Sequence, residues 1–216
     1  MRSEYFIELL VTGALGIFTL VMLFFGIVGI EWIHWLKDIK IFHSEGVWTS
    51  ILIMFPFVYI AGIIIDRFVD AIYDKFWGDE IINSKLGNRY EYTKKVTKLF
   101  LTSDKLADAY NYTRMRIRIC RSTSFLSLVL LIAVIIFIVN SGLYGNPSLI
   151  FNMELKEFDM YNWHKIYIVG STFVIIGLII TICTSFSAWK ALNYRECARL
   201  NMRMEILDEI NNKKEE

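Results

Sequence analysis

The stretch Gly46–Trp77, GVWTSILIMFPFVYIAGIIIDRFVDAIYDKFW, decides the fold class of this chain. Its first twenty residues carry no charge. At a helical rise of about 1.5 Å per residue, a run of this length matches a hydrocarbon core of about 30 Å. The acids that follow, Asp66, Asp70 and Asp74, are four residues apart and share one face if the helix continues. The pattern predicts a membrane span that continues as a soluble helix with an acidic stripe.

Three further uncharged runs are also long enough to cross a membrane, in a chain of 216 residues that is 55% hydrophobic. We predict four transmembrane helices, at about 8–31, 47–66, 122–141 and 166–188. An open sheet is excluded at membrane depth because each unpaired backbone group would cost several kcal/mol in lipid. The predicted fold class is therefore all-α, a polytopic membrane protein with four transmembrane helices.

The basic residues are distributed unevenly along the chain. Of the 23 Lys and Arg residues, 19 lie at the two ends or in the central segment, and only four lie in the two remaining loops. Because cytoplasmic loops carry the excess of Lys and Arg, both termini are predicted to be cytoplasmic in the inner (plasma) membrane. The predicted units are a transmembrane hairpin (1–66), a cytoplasmic helical segment (67–121), a second hairpin (122–188) and a cytoplasmic C-terminal helix (189–216).

Two predicted spans carry faces of small and polar residues. On span one the face comprises Glu8, Thr12, Gly16, Thr19 and Gly26; on span four it comprises Thr181, Thr184 and Ser185. One interpretation is close helix packing, since small residues let backbones approach each other in lipid. The other is a pore lining, with Glu8 at the cytoplasmic mouth.

A basic stripe precedes span three, where Arg114, Arg118 and Arg121 follow helical spacing. These arginines allow three interpretations: contact with anionic lipid headgroups, a clamp with Asp66, Asp70 and Asp74, or a phosphate-binding site. The ligand contacts predicted for the third are Tyr90, Tyr92, Tyr110 and Arg116, because aromatic rings can stack on a base.

Between spans two and three, residues 88–101 are predicted to form a basic amphipathic helix, with Gly78 and Gly87 as stops or turns. A helix from Asp104 is predicted to run unbroken into span three. Span four is likewise expected to continue into a terminal helix. Its residues Cys197, Leu200, Met204 and Leu207 have coiled-coil-like spacing, which we expect to assist an oligomer.

The sequence contains no Walker loop, GxGxxG, HExxH, CxxC or GxSxG motif. Its three histidines (His34, His43 and His164) are scattered, and the predicted spans hold almost no ionisable side chains. We therefore predict that the protein is not an enzyme and has no cofactor or metal. The pattern also disfavours a proton-coupled carrier with a carboxylate at mid-membrane.

GIIIDRFVD (Gly62–Asp70) at the end of span two and RMRIRICR (Arg114–Arg121) at the start of span three resemble motifs in a group of small bacterial four-helix membrane proteins. Some members of that group belong to phage-defence operons of the Hailong type, in which a nucleotidyltransferase signals to a membrane effector. The resemblance implies a homo-oligomeric, nucleotide-gated pore that depolarises the membrane.

The leading expectation is thus a homo-oligomeric pore or channel-like protein of the inner membrane. The alternative is a membrane-anchored scaffold that recruits a cytoplasmic partner through its helical extensions. The expected partners are the lipid bilayer, further copies of the chain, and a nucleotide ligand or a cytoplasmic protein, but no nucleic acid.

Overall fold

The computed structural model describes the backbone of residues 2–28, 44–102, 104–143 and 160–215, and side chains within 6–28, 54–102, 104–140 and 168–207. All of the elements in these residues are helical, which confirms the all-α class. They are α1 (Arg2–Val28), α2 (Ser44–Tyr73), a π-helical turn (Asp74–Gly78), α3 (Asp79–Leu86), α4 (Arg89–Thr102), α5 (Asp104–Leu143) and α6 (Met160–Glu215). The histidine side chains fall outside the described residues.

Three helices in the described part are long and apolar enough to cross a membrane: Phe6–Val28 of α1, Asp104–Asn140 of α5 and Ile168–Leu207 of α6. α2 covers the predicted span 47–66 as one helix, and its side chains are described from Met54 onward. The fourth span and the cytoplasmic termini stay predictions.

α5 and α6 each join an apolar half to a charged half without a break, as predicted. They contain 40 and 56 residues respectively. At about 1.5 Å per residue these lengths are roughly twice and nearly three times a hydrocarbon core of about 30 Å. Each helix must therefore extend well beyond the lipid.

The apolar bundle is built where α1 packs against both α2 and α5. α1 and α2 cross at Gly13 and Gly62. A Cβ atom at Gly13 would overlap the carbonyl oxygen of Val58, and one at Gly62 would overlap that of Leu9. Only glycine at both positions permits this backbone contact.

Outside the bundle, four pieces form a second core, which we call the helical module: α3, α4, residues 104–121 of α5 and residues 189–207 of α6. The core residues come from all four pieces and from the end of α2, and include Tyr73, Ile81, Leu99, Ile117, Trp189 and Leu200. Leu99 and Leu200 are fully buried. The charged segments predicted to lie outside the membrane thus contain a packed hydrophobic core of their own.

Two glycines predicted to stop or turn a helix behave differently. Gly87 ends α3 with a φ of 83°, a left-handed conformation that glycine adopts without strain. Gly78 is the last residue of the π-helical turn, but its backbone dihedrals stay in the right-handed helical region and the chain continues directly into α3. A Cβ atom there would overlap the carboxylate of Asp74, so the missing side chain leaves room for that carboxylate.

The coiled-coil-like spacing in α6 does not mark an exposed seam. Cys197, Leu200 and Met204 are buried inside their own chain, and Leu207 packs at the edge of the same core. α6 packs here against α5 and α3. The expectation that this seam assists an oligomer is wrong, because the hydrophobic spacing serves packing within one subunit.

Candidate functional site: the junction between the apolar bundle and the helical module

Arg121 of α5 is the centre of the junction. Its Nη2 donates to Oδ1 of Asp66 at 2.9 Å, and its Nη1 donates to Oδ1 of Asp70. Nη2 also lies 3.5 Å from the backbone carbonyl oxygen of Asp66. One guanidinium therefore binds two carboxylates that are one turn apart on α2, a geometry for which its planar fork of donors is suited.

Burial makes this arrangement energetically important. The Arg121 side chain is 6% exposed and that of Asp66 is 11% exposed, whereas that of Asp70 is 43% exposed. Removing one partner of a buried pair costs about 3–5 kcal/mol because the other charge stays desolvated and uncompensated. Arg121 and Asp66 thus fix α2 to α5 where the apolar segments end, and Asp70 adds a more hydrated contact.

The predicted clamp is therefore present for Asp66, Asp70 and Arg121. Asp74, the third acid of the stripe, pairs with Arg89 of α4 instead. Arg114 and Arg118 are half-buried on α5, and each makes an interaction within the structure. The sequence analysis did not predict this contact between the π-helical turn and α4.

Arg89 also lies 3.6 Å from Asp79, so it neutralises one acid at the start of the π-helical turn and one directly after it. The hydrogen bond to Asp74 raises the pKa of Arg89. About half of each side chain is exposed in the Arg89–Asp74 pair, so water screens the attraction and its contribution to stability is small.

An aromatic cluster connects the end of α2 to α6. The Tyr73 ring lies edge-on to Trp189 with centroids 4.8 Å apart, and the Trp77 ring lies 5.3 Å from that of Phe186. Such pairs add about 0.5–1.5 kcal/mol each beyond the burial of their area. The sequence signal for the cluster was helical spacing: Tyr73 and Trp77 are four residues apart at the end of α2 and in the π-helical turn, and Phe186 and Trp189 are three apart on α6.

The small and polar face of α1 lies in helix packing within one subunit. Glu8, Thr12 and Thr19 are buried, and the Thr19 hydroxyl donates to the carbonyl of Leu15 at 2.7 Å. Of the two remaining members, Gly16 faces Ile65 and Leu126, and Gly26 faces the carbonyl of Ala133. These contacts favour the packing interpretation over the pore lining.

Glu8 is the exception on this face. Its Oε2 atom is buried and has no hydrogen-bond partner among the described residues, and the same holds for Nε of Arg121. Buried polar atoms without partners are costly. Both atoms belong to buried charged side chains near the end of the apolar bundle.

The corresponding face of α6 is open. Thr184 is exposed, while Thr181 and Ser185 are half-buried. Both threonine hydroxyls are satisfied within the helix: Thr181 donates to the carbonyl of Gly177 at 2.8 Å and Thr184 to that of Ile180 at 2.8 Å. A Cβ atom at Gly177 would meet no atom within 4 Å, so no described part of the chain packs against this glycine.

The predicted ligand contacts are divided between surfaces. The hydroxyls of Tyr92 and Tyr110 lie 2.6 Å apart, and the ring of Tyr110 is also 5.8 Å from that of Phe100. Tyr90, on the opposite side of α4, is 72% exposed, and Arg116 is exposed on α5. Tyr92 and Tyr110 thus have a structural role between α4 and α5, and the four residues form no common site within one subunit.

Glu196 was not singled out from the sequence. It lies in the charged half of α6, outside the apolar segment, and is 3% exposed. Its Oε1 atom is 3.4 Å from Nη1 of Arg203, while its Oε2 atom has no hydrogen-bond partner among the described residues. Burial raises the pKa of Glu196, and the nearby charge of Arg203 opposes that effect.

A metal centre finds no support in the described part of the chain, where no group of three or more His, Cys, Asp or Glu side chains comes together. The candidate site consists of the ion pairs of Arg121 with Asp66 and Asp70 and of the aromatic cluster. Comparison of the chain with protein-family models, with curated proteins and with solved structures finds no match.

Proposed function

We propose that the protein is a homo-oligomeric inner-membrane pore or channel-like protein whose helical module lies in the cytoplasm and controls the transmembrane bundle. The observation that carries this proposal is the exposure of the apolar half of α6. None of the most apolar 18 residues of this helix is buried inside the chain, whereas 28% of the corresponding residues are buried in α1 and in α5.

The composition of the exposed segment favours a protein neighbour over lipid alone. It carries Gly170 and Gly177, and a Cβ atom at either would meet nothing within 4 Å. It also carries Ser171, Thr181 and Thr184. Small and hydroxyl-bearing residues are enriched where transmembrane helices contact each other. In an assembly, this face of α6 would meet neighbouring copies or line a path between them.

The junction provides the means of control. α6 is one continuous helix from its exposed apolar half to the core of the helical module. The aromatic cluster joins it to α2, and Arg121 joins α2 to α5. A displacement within the module would therefore act on three membrane-embedded helices together.

Nucleotide gating rests on the resemblance to phage-defence effectors. Within one subunit the predicted contacts are divided, so a nucleotide would bind through exposed side chains such as Tyr90 or Arg116, or between subunits. An antiviral role follows only if such a ligand opens the pore.

Ion flux tests the proposal. Purified protein in liposomes is expected to pass ions, either constitutively or when nucleotides are added. Thr181→Leu together with Thr184→Leu should change the flux several-fold, while Ile180→Leu, a 57% exposed neighbour on the same helix, should not. Protein that passes no ions with or without a panel of nucleotides refutes the pore.

The second candidate is a membrane-anchored scaffold. The observation that favours it is an exposed face of α4, where Tyr90 and Leu101 are 72% and 83% exposed at the two ends of a shallow groove of about 390 Å³. A stable, stoichiometric cytoplasmic partner of a protein that conducts no ions would support this function over the pore.

A further inference from the structure

One face of α6 is exposed in the apolar half of the helix and continues into the charged half. At about 100° per residue, Gly177, Thr184 and Arg195 lie within about 20° of one another around the helix axis. Ala188 and Arg199 lie on the same side, within about 40° of Gly177. All five residues are exposed. We call this set the open face of α6.

The helical module holds α6 by the opposite side. Trp189, Leu200 and Met204 are buried in the core of the module, and they lie about 120–180° around the axis from Gly177. α6 is one continuous helix through both halves. The open face therefore points away from the core of the module, and a single side of the helix is available from the apolar segment to the arginines.

The two arginines lie one turn apart where the open face leaves the apolar segment, with Arg195 about 16 Å along the helix from Thr184. Arg195 makes no ion pair with a residue that the structure describes. Arg199 is close enough to act on the charge of Glu196, but the ion pair of Glu196 is with Arg203. Each copy of the chain thus presents two guanidinium groups to solvent on this face.

No acid lies on the open face to oppose these charges. The two acids in this part of α6, Glu196 and Glu205, lie about 100° and 80° from Gly177, on either side of the face. Toward the apolar end the face consists of small and hydroxyl-bearing residues, among them Gly177 and Thr184. The face is therefore small and uncharged at membrane depth and purely basic outside it.

This charge pattern decides which kind of contact the open face can make between copies. Copies in one membrane share their orientation, so a symmetry axis along the membrane normal places Arg195 of every copy at the same height. Direct packing of the open faces would bring like charges together without water, which is unfavourable. In a water-filled path, solvent and counter-ions screen the same charges. The open face is therefore better suited to the wall of an aqueous path than to a dry contact.

We propose that the open face of α6 lines the path of the homo-oligomeric pore, and that Arg195 and Arg199 of the assembled copies form a basic ring at its cytoplasmic mouth. The ring makes the pore selective for small inorganic anions, because its positive potential concentrates anions and repels cations at the entrance. The proposal rests on the pore in the proposed function and identifies the class of ion that this pore carries.

Reversal potentials measure this selectivity. The purified full chain is inserted into planar bilayers of phosphatidylcholine, which carries no net charge, and a steep KCl gradient is applied, with nucleotides added where the current requires them. The permeability ratio of chloride to potassium is expected to exceed about 5. A conducting protein that passes potassium as readily as chloride overturns the proposal.

A series of charges at the two arginines provides the matched comparison. Arg195→Glu with Arg199→Glu should lower the permeability ratio by about tenfold, glutamine at both positions should give an intermediate ratio, and lysine at both should stay within about twofold of the parent. Because both side chains are exposed, these variants are expected to keep the parental unfolding midpoint, which is measured first. Where the glutamate variant fails to fold, the glutamine and lysine variants decide.

Arg67→Glu with Lys75→Glu is the control, since it makes the same change in charge at exposed positions outside α6 and should leave the ratio unchanged. A permeability ratio that does not follow the charge at residues 195 and 199 overturns the basic ring. An effect of the charge series that appears only when phosphatidylglycerol is included assigns the arginines to lipid headgroups and also overturns it.

The outcomes separate the selectivity from the pore itself. Protein that passes neither chloride nor potassium refutes the pore and the basic ring together. Conduction that prefers potassium, or a preference for chloride that the arginine variants do not change, refutes the basic ring and leaves the pore standing. A preference for chloride that falls in the order lysine, glutamine, glutamate supports both.

Discussion

Replacing Arg121 by glutamine should destabilise the folded chain more than any other single loss of charge at the junction. Glutamine cannot bind both Asp66 and Asp70, so Asp66 keeps a negative charge on a side chain that is 11% exposed. Loss of one partner from a buried pair costs about 3–5 kcal/mol. Asp70, at 43% exposed, recovers hydration and should contribute about 1 kcal/mol or less. For a chain of this length the unfolding midpoint should fall by roughly 10 °C.

The effect is measured by thermal unfolding in detergent. Unfolding is monitored as the loss of the helical spectroscopic signal and of the monodisperse peak. Asp66→Asn in the Arg121→Gln background should recover part of the loss, so the double-mutant cycle should show a coupling of about 2 kcal/mol or more. Asp74→Asn breaks the exposed pair with Arg89 and should cost about 1 kcal/mol or less. Additive effects of Asp66→Asn and Arg121→Gln, or equal losses from Arg121→Gln and Asp74→Asn, would refute the buried clamp.

Two further predictions concern the packing of the apolar bundle and the burial of a carboxylate in the helical module. Gly13→Ala places a Cβ atom against the carbonyl of Val58 and should lower stability by about 2 kcal/mol or more, whereas Gly177→Ala, where no atom lies within 4 Å, should leave the unfolding of the single subunit unchanged. Because the folded-state pKa of Glu196 is raised, its contribution is most favourable below the ordinary carboxyl pKa and is lost as the pH rises through the raised value. Glu196→Gln, which keeps the shape near Arg203, should therefore flatten the fall in unfolding midpoint that occurs between the ordinary and the raised pKa; an unchanged pH profile would contradict the burial argument.

The helices of this protein were predictable because their signals are local. The unbroken path from Asp104 into span three and the turn at Gly87 both follow from patterns within a few residues. The arginine partners of Asp66, Asp70 and Asp74 were predictable only in part. Each four-residue step turns a helix face by about 40°, so Asp74 lies about 80° round from Asp66. That rotation directs Asp74 toward Arg89 and away from Arg121.

The predicted ligand contacts were inconsistent with helical geometry, and the sequence alone was enough to show this. Tyr90 and Tyr92 are two residues apart, which places them about 200° apart around a helix. They therefore lie on opposite faces of α4, and only Tyr92 reaches Tyr110. The coiled-coil-like spacing of Leu200 and Met204 was a real hydrophobic signal, but spacing does not tell a contact between subunits from one within a subunit.

The sequence by itself determined that the chain is helical, that its apolar runs can cross a membrane, and that the helix in the stretch 46–77 continues from its apolar run into the acidic residues. The physical reason is that backbone groups in lipid must be satisfied within each helix, and periodicity then assigns the faces. Only the tertiary structure decided which faces meet. Gly13 lies against the backbone at Gly62, Arg121 binds Asp66, and the small face of α6 is left open. Each helix has several faces whose chemistry would allow it to pack against another helix. Which faces pack together depends on which backbones and side chains can approach each other closely in three dimensions.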